Sequence, residues 1–248
     1  ETTVTPFAIV LVDPPWSYGD KLAKMKDGVA RSSDSHYRTM TVDDIRDLGR
    51  PICGEHGVRC DCGRGKGGSP LTIAEYPIAD DAILFLWVTN PMLLDGSGPR
   101  VCRAWGFEPK QLITWIKGRI AIERRGNDYS YDPNDYEGKL VLSCGLGHYT
   151  RGATEHLILA TRGRATGLVK DHGVRNVLID VETVDELDLP TGAIPGAFVA
   201  PTGAHSTKPN AAYDLIDQLL GADTPKLELF ARRKWSDAYT TWRLEAPK

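Results

Sequence analysis

Short apolar runs without polar alternation recur along this chain of 248 residues and constrain its fold more than any other feature. The first run, Phe7–Val12, leads directly into Asp-Pro-Pro-Trp at residues 13–16, and another covers residues 82–88. Such a run, half of it β-branched, is typical of a strand buried on both faces of a parallel sheet. Ligands bind at the carboxyl ends of strands in open α/β sheets, so Asp13 lies where function is expected. The alternative is that the prolines end the strand and Trp16 covers the sheet edge.

Strand-like runs alternate with helix-like patterns along the rest of the chain. Thr41 precedes a short amphipathic pattern that ends at Gly49, and a helix is also expected over residues 92–105. A longer helix is predicted to begin at Pro209 and to stop at Gly221. Further strands are predicted within residues 111–118, 155–163 and 226–232. This alternation predicts an α/β fold with a doubly wound, mostly parallel sheet.

The length suits one α/β domain of ordinary size, so we expect a single domain over residues 1–248. Loop insertions are expected near residues 50–70 and 164–204, and residues 17–38 lack any apolar period, as in a loop that closes over a ligand. The first residues are polar, and no apolar run approaches the roughly 18 residues of a membrane span. We therefore expect a cytoplasmic protein that makes no membrane contact.

The charge balance bears on possible partners. Thirty Lys and Arg against 33 Asp and Glu give a formal net charge of -3. A nucleic-acid partner would therefore have to be held by local basic patches rather than by the overall field. Candidate phosphate contacts are the basic segments at residues 117–125, at Arg162 and at residues 232–234. The alternative for each segment is a solvated surface of mixed charge.

Three of the five cysteines crowd into one insertion with a histidine, at Cys53, His56, Cys60 and Cys62. Three thiolates and an imidazole suit a structural zinc site. Their spacing matches no common zinc finger, however, and Cys60 lies uncomfortably close to Cys62. We therefore predict no metal at this chain's functional site and interpret the insertion as a thiol-bearing loop, with zinc as the alternative.

Asp13 and Pro14 offer the acceptors that a planar amine requires. The exocyclic nitrogen of adenine is a poor nucleophile until two acceptors hold its hydrogens in a tetrahedral arrangement. The Asp13 carboxylate can accept one hydrogen and the Pro14 carbonyl the other. Trp16 offers an aromatic face for stacking a base, worth roughly 1 to 3 kcal/mol. The chain has neither a P-loop nor a dinucleotide-binding glycine fingerprint, so group transfer to an amine is the favoured chemistry.

Six motifs in order resemble the adenine-N6 methyltransferase family, which includes the catalytic subunit of the mRNA adenosine methyltransferase and its bacterial and phage DNA-modifying relatives. The motifs are DPPW, HYRTM, LFLWVTN, GHYTRGATEHLILATRG, HSTKPN and KLELFAR, and the resemblance covers residues 7–232. It implies a Rossmann-like, S-adenosylmethionine-dependent methyltransferase with the catalytic motif first and the cofactor motif last. The implied reaction is methylation of the N6 amine of adenine in nucleic acid, with DNA favoured over RNA.

The resemblance also implies roles for particular residues. The catalytic set is Asp13, Pro14, Pro15 and Trp16. For the cofactor, the implied residues are Asp13, Lys208, which can pair with the methionine carboxylate at a helix start, and Arg232, which can contact the ribose. For the target base, they are Tyr37 by stacking and Glu155 and Ser206 by hydrogen bonds. A solvated lysine, a surface arginine and ordinary loop residues are the respective alternatives.

One departure from the family pattern concerns the C-terminal residues. Family members commonly continue after the last arginine into a segment with Gly-Asn-Glu that holds the cofactor, and residues 232–248 lack it. The cofactor contacts of that segment are therefore unassigned in this sequence.

Two other functions stay open alongside the methyltransferase. One is a non-catalytic, nucleic-acid-binding partner subunit of a methyltransferase complex. The other is methylation of a small-molecule amine. Assembly of this chain into a homodimer or a heterodimer stays open as well. Because a duplex buries adenine in its base stack, a nucleic-acid substrate would have to be single-stranded or have its base flipped.

Overall fold

The computed structural model describes residues 5–17, 39–49, 72–124, 136–142, 152–179, 198–199 and 208–242. The strands are β1 (Phe7–Val12), β2 (Thr72–Ile73), β3 (Tyr76–Val88), β4 (Glu108–Ile116), β5 (Gly118–Arg124), β6 (Tyr136–Leu142), β7 (Thr154–Arg162), β8 (Val177–Ile179), β9 (Phe198–Val199), β10 (Lys226–Leu229) and β11 (Tyr239–Trp242). The helices are α1 (Val42–Asp47), α2 (Asn90–Leu94), α3 (Ser97–Ala104) and α4 (Asn210–Leu220), with a 3-10 turn at Ala165–Leu168. None of these helices is long and apolar enough to cross a membrane.

A large sheet organises the fold, with strand order β11-β10-β1-β3-β7-β4-β8-β9 and β2 paired to β3 as an antiparallel hairpin. Parallel pairings join β1 to both β3 and β10, β10 to β11, and β8 to both β4 and β9. Strands β5 and β6 form a separate antiparallel hairpin. The predicted α/β class with a mostly parallel sheet is confirmed.

The chain forms two compact units, and the first draws on residues 1–111, 158–167 and 225–248. Its centre is β1, in which Val10 pairs with Leu84 of β3 on one side and with Leu227 of β10 on the other. All three side chains are fully buried. The apolar run at the start of the sequence is therefore a central parallel strand, as its pattern predicts.

The second unit draws on residues 112–157 and 168–224 and includes the β5–β6 hairpin, β8, β9 and α4. Helix α4 follows Pro209 and stops at Gly221, whose φ of 92° suits a glycine. Its apolar stripe is buried, at Ala211, Ala212, Tyr213, Leu215, Ile216 and Leu220. The predicted helix is confirmed at both ends. A single domain over residues 1–248 remains a prediction.

The single helix predicted over residues 92–105 is wrong, because the chain forms α2 and α3 with a break between them. Gly96 adopts a left-handed φ of 79°, which a continuous helix does not allow. The carboxylate of Asp95 then accepts a hydrogen bond from the Ser97 N–H at 2.7 Å. This side-chain contact satisfies one of the first N–H groups of α3 and starts a new helix.

Several short strands were not predicted from the sequence. The segment at residues 164–204, interpreted as loop, contains β8 and β9. These strands have only three and two residues, so they carry no periodic signal and form by pairing with β4 and with each other. The β5–β6 hairpin and β11 were missed as well. The predicted loop over residues 17–38, apart from Ser17, and the insertion near 50–70 lie outside the described residues.

Helix α1 confirms the predicted cap and gives Gly49 an unexpected role. The Thr41 hydroxyl accepts the Asp44 N–H at 3.1 Å, while the Asp44 carboxylate accepts the Thr41 N–H at 3.2 Å, forming a capping box. Gly49 lies against the fully buried Trp105 ring, and a Cβ there would lie 2.5 Å from Trp105 Cγ. Glycine is therefore required at this position for close packing. The helix ends one residue earlier than predicted, because Leu48 rather than Gly49 is its C-cap.

We predict that Gly49→Ala lowers the free energy of unfolding by about 1 to 3 kcal/mol, because a rigid indole cannot yield to the added methyl group. Gly167→Ala is the matched control, since no atom lies within 4 Å of its added Cβ, and we expect a change within about 0.5 kcal/mol. Urea unfolding followed by circular dichroism measures both. Equal stability of the two variants would contradict the packing role of Gly49.

Candidate active site

Asp13 lies at the carboxyl end of β1, where three parallel strands of the first unit end side by side. Val12 pairs with Leu86 of β3 and with Leu229 of β10. The Asp13 N–H donates to the Leu229 carbonyl at 3.4 Å, and the Asp13 residue is half-buried. The expected placement of Asp13 at the edge where α/β sheets bind ligands is confirmed.

The segment after Asp13 folds back into a tight turn around Pro15. The Trp16 N–H donates to the Pro14 carbonyl at 2.8 Å, and the Met40 N–H donates to the Pro15 carbonyl at the same distance. Neither proline has an N–H that needs a partner. A carbonyl oxygen has two lone pairs, so the Pro14 carbonyl can accept a second hydrogen bond while Trp16 fixes its direction.

Trp16 anchors this segment to the neighbouring strand. Its indole N–H donates to the carbonyl of Trp87 in β3 at 3.0 Å, and only 4% of Trp16 is exposed. The burial agrees with the alternative in which Trp16 covers the sheet edge. Its role as a stacking surface for a base remains a prediction.

Arg232 follows β10 and is exposed on the same strand-end edge of the first unit. The chain turns sharply just before it, because Phe230 adopts a φ of 64°, which is uncommon for a residue with a side chain. The Phe230 N–H donates to the Trp242 carbonyl at 2.8 Å, and their rings pack edge to face with centroids 5.3 Å apart. These contacts stabilise the turn that presents Arg232, whose contact with a ribose remains a prediction.

Glu155 and Lys208, predicted separately from the sequence, are brought together in the second unit, and Lys117 joins them. One carboxylate oxygen of Glu155 lies 2.5 Å from Lys117 Nζ, and the other lies 3.1 Å from Lys208 Nζ. Lys117 follows β4 directly, Glu155 is the second residue of β7, and Lys208 lies two residues before α4. We call these three residues the Lys-Glu-Lys cluster.

The Lys-Glu-Lys cluster is partly buried and carries a surplus positive charge. Side-chain exposures are 27% for Lys117, 18% for Glu155 and 15% for Lys208. Burial alone would raise the pKa of Glu155, but the charges of Lys208 and Lys117, with their hydrogen bonds, hold it below its ordinary value of 4.5. Glu155 is thus ionised at neutral pH, and two ammonium groups against one carboxylate suit an anionic ligand.

Sequence reasoning placed Lys117 among possible phosphate contacts and missed its ion pair. Its position directly after β4 is the one signal that pointed to a strand-end site.

The other basic segments are engaged in local contacts as well. Arg162 pairs with Asp80 at 3.3 Å, and Lys234 pairs with Asp237 at 2.7 Å. These pairs agree with the alternative of a mixed-charge surface.

Several predicted residues lie outside the part of the chain that the structure describes. They are Tyr37, Ser206 and the candidate zinc ligands Cys53, His56, Cys60 and Cys62. Among the described residues, no three His, Cys, Asp or Glu side chains are grouped as a metal site.

Cys102 lies buried in α3, where burial raises the pKa of its thiol to about 12. Cys102 therefore stays a protonated thiol.

We predict that Glu155→Gln destabilises the protein at pH 7 by about 1 to 3 kcal/mol, because two partly buried ammonium groups lose their shared carboxylate. The lowered pKa of Glu155 means that its contribution is complete above the ordinary value of 4.5 and is lost as the pH falls through the folded-state value. The difference from the parent should therefore shrink in acid. Urea unfolding of the parent and the variant, at pH 7 and at a pH below the ordinary value of 4.5, measures this difference.

Glu108→Gln is the control for this experiment. Its carboxylate is 55% exposed and lies 3.5 Å from Arg103, so we expect little effect at either pH. A Glu155→Gln effect that stays constant with pH would contradict the ionised state assigned to Glu155.

Comparison with known proteins identifies the family. The sequence profile described as MT-A70 matches residues 70–245, a span that includes Glu155, Lys208 and Arg232, whereas residues 13–16 precede it. The chain is 25% identical over 232 residues to the N(6)-adenosine-methyltransferase MT-A70-like protein of Drosophila melanogaster, covering 93% of this chain and 25% of that protein. It is 24% identical over 256 residues to the Type II methyltransferase M.MunI of Mycoplasma sp, covering 97% of this chain and 78% of that protein. The chain thus spans about a quarter of the fly relative. Because the profile covers most of its length, this chain belongs to the MT-A70 family.

Proposed function

We propose that this protein transfers a methyl group from S-adenosylmethionine to the N6 amine of adenine in nucleic acid. The observation that carries the proposal is the adjacent pair of acceptors, Asp13 and Pro14, at the carboxyl ends of three neighbouring parallel strands. Both relatives are named as methyltransferases, and one name specifies the N6 position of adenosine. These names agree with the amine chemistry inferred from the residues.

Asp13 and Pro14 raise the nucleophilicity of the amine in this proposal. The Asp13 carboxylate accepts one N–H, and the second lone pair of the Pro14 carbonyl accepts the other. Because Trp16 and Met40 hold the turn by main-chain hydrogen bonds, the Pro14 carbonyl is fixed before the substrate arrives. The negative charge of Asp13 would also stabilise positive charge that develops on the amine, and in this proposal the carboxylate takes the proton that the methylated amine loses.

The Lys-Glu-Lys cluster fits the proposed cofactor because its surplus positive charge complements the methionine carboxylate. When bound, S-adenosylmethionine supplies an electrophilic methyl group on a sulfonium. Lys208, just before the N-terminus of the 11-residue helix α4, would hold the carboxylate, aided by the helix dipole. Asp13 and Arg232 are proposed as the other cofactor residues, Arg232 for the ribose.

The proposed substrate is DNA rather than RNA. The chain covers 78% of the type II methyltransferase but only 25% of the relative whose name specifies adenosine, the ribonucleoside. Tyr37, Glu155 and Ser206 are proposed to contact the target base, which must be flipped out of a duplex or presented on a single strand. A dimer, with a second copy or a related chain, also remains a prediction.

The second candidate is a non-catalytic partner subunit. Such a protein would not need a carboxylate at the carboxyl end of the central strand β1, so Asp13 at this sheet edge favours the enzyme. Methylation of a small-molecule amine uses the same acceptors and differs only in substrate.

We predict that Asp13→Asn slows methyl transfer roughly 100-fold or more and changes S-adenosylmethionine binding far less, because an asparagine amide can still form hydrogen bonds to the cofactor. Asparagine keeps the size of the side chain but removes the charge that favours the reacting amine. Single-turnover kinetics with labelled cofactor and adenine-containing single-stranded DNA and RNA measure the rate. Transfer by Asp13→Asn at the parent's rate would show that Asp13 is not the catalytic acceptor.

We predict that Lys208→Ala weakens S-adenosylmethionine binding roughly 10- to 100-fold, the range expected when a hydrogen bond to a charged group is lost. Lys110→Ala is the control, because Lys110 is an exposed lysine of β4. Isothermal titration calorimetry measures both affinities. An unchanged affinity in Lys208→Ala would reject its assignment to the carboxylate.

A further inference from the structure

Lys117 is the member of the Lys-Glu-Lys cluster that the proposed function leaves without a role. It is held in place by more than its ion pair with Glu155. The Lys117 N–H donates to the Ala153 carbonyl at 2.7 Å, and its ammonium group lies 4.8 Å from the centre of the Trp115 ring. A lysine fixed at its backbone and over an aromatic face is a defined part of the site rather than a mobile surface charge.

Glu155 forms ion pairs with two lysines, one through each of its carboxylate oxygens. Lys117 contacts one oxygen and Lys208 the other, so the two ion pairs form at the same time. If Lys208 were the sole partner of Glu155, one ammonium group would have to balance both Glu155 and an incoming carboxylate. Two carboxylates would then compete for one cation in a partly buried site, which is unfavourable.

We infer that Lys117 is a positioning residue that keeps Glu155 paired and thereby makes Lys208 available to the carboxylate of an amino-acid ligand. The inference rests on the proposed function, in which that ligand is the methionine portion of S-adenosylmethionine. Lys117 itself does not touch the ligand. With Lys117 present, Glu155 retains a counter-ion at 2.5 Å while Lys208 pairs with the ligand.

The inference predicts a distinctive pattern in a double-mutant cycle. Lys117→Gln should weaken S-adenosylmethionine binding roughly 3- to 30-fold, the coupling expected within one ion-pair network, because Glu155 then competes with the ligand carboxylate for Lys208. Adding Glu155→Gln to Lys117→Gln should restore the affinity, since the competing carboxylate is gone. Lys117→Arg, which keeps the charge, should bind like the parent, and so should the exposed control Lys110→Gln.

A second ligand separates this role from a general loss of structure. Methylthioadenosine retains the nucleoside but lacks the carboxylate, so Lys117→Gln should change its affinity by less than about twofold. Glu155→Gln alone should bind S-adenosylmethionine at least as tightly as the parent, because it removes the carboxylate that competes for Lys208 and keeps Lys117. This second variant tests the inference even if Lys117→Gln does not fold.

Isothermal titration calorimetry of the parent and the variants with S-adenosylmethionine and with methylthioadenosine measures these affinities. The inference is overturned if Lys117→Gln binds S-adenosylmethionine as the parent does, if it loses both ligands equally, or if Glu155→Gln weakens S-adenosylmethionine binding. A parent that binds both ligands while the variants show no coupling overturns this inference alone. A parent that binds neither ligand overturns the proposed function, and the inference with it.

Discussion

Parallel pairing on both sides of β1 is the constraint on which the first unit depends. Most of its side chains are buried, and residues 9–12 are paired in continuous register with both β3 and β10. Each buried aliphatic side chain contributes roughly 1.5 to 3 kcal/mol, so β1 has little freedom to shift. Because neighbouring parallel strands share one carboxyl edge, that pairing also fixes where Asp13 lies. Stability and the placement of the candidate catalytic carboxylate therefore have the same physical origin.

The Asp-Pro-Pro-Trp segment is held at this edge by main-chain and side-chain hydrogen bonds and brings the Asp13 carboxylate and the Pro14 carbonyl there. The prolines remove two donors that would otherwise need partners, and Trp16 is tied to β3 by its side chain. The structure thus gives Trp16 a packing role that the sequence alone could not separate from stacking on a base. The candidate residues of the second unit are held by charge instead, because two lysines pair with the carboxylate of Glu155.

The features predicted correctly from the sequence are those with a long or distinctive local pattern. A buried apolar run predicted β1, and a Thr cap and a Pro-to-Gly helix pattern predicted α1 and α4. Strands β8 and β9 are too short to carry a period, and the break between α2 and α3 depends on the left-handed conformation of one glycine. The pairing of Lys117 with Glu155 joins residues 38 positions apart, and no local pattern encodes such a contact. Strand ends therefore predicted where Asp13 lies on the sheet, and no local pattern predicted the ion pairs of Glu155.

The central claim is methyl transfer to the N6 amine of adenine, and mass spectrometry of nucleosides tests it most directly. DNA and RNA, each single-stranded and duplex, would be incubated with the protein and isotopically labelled S-adenosylmethionine, then digested to nucleosides. Free adenosine would be incubated in parallel. The account predicts labelled N6-methyladenine in DNA, at higher yield than in RNA. Absence of labelled N6-methyladenine from both polymers and from free adenosine, in protein that is folded, would contradict it.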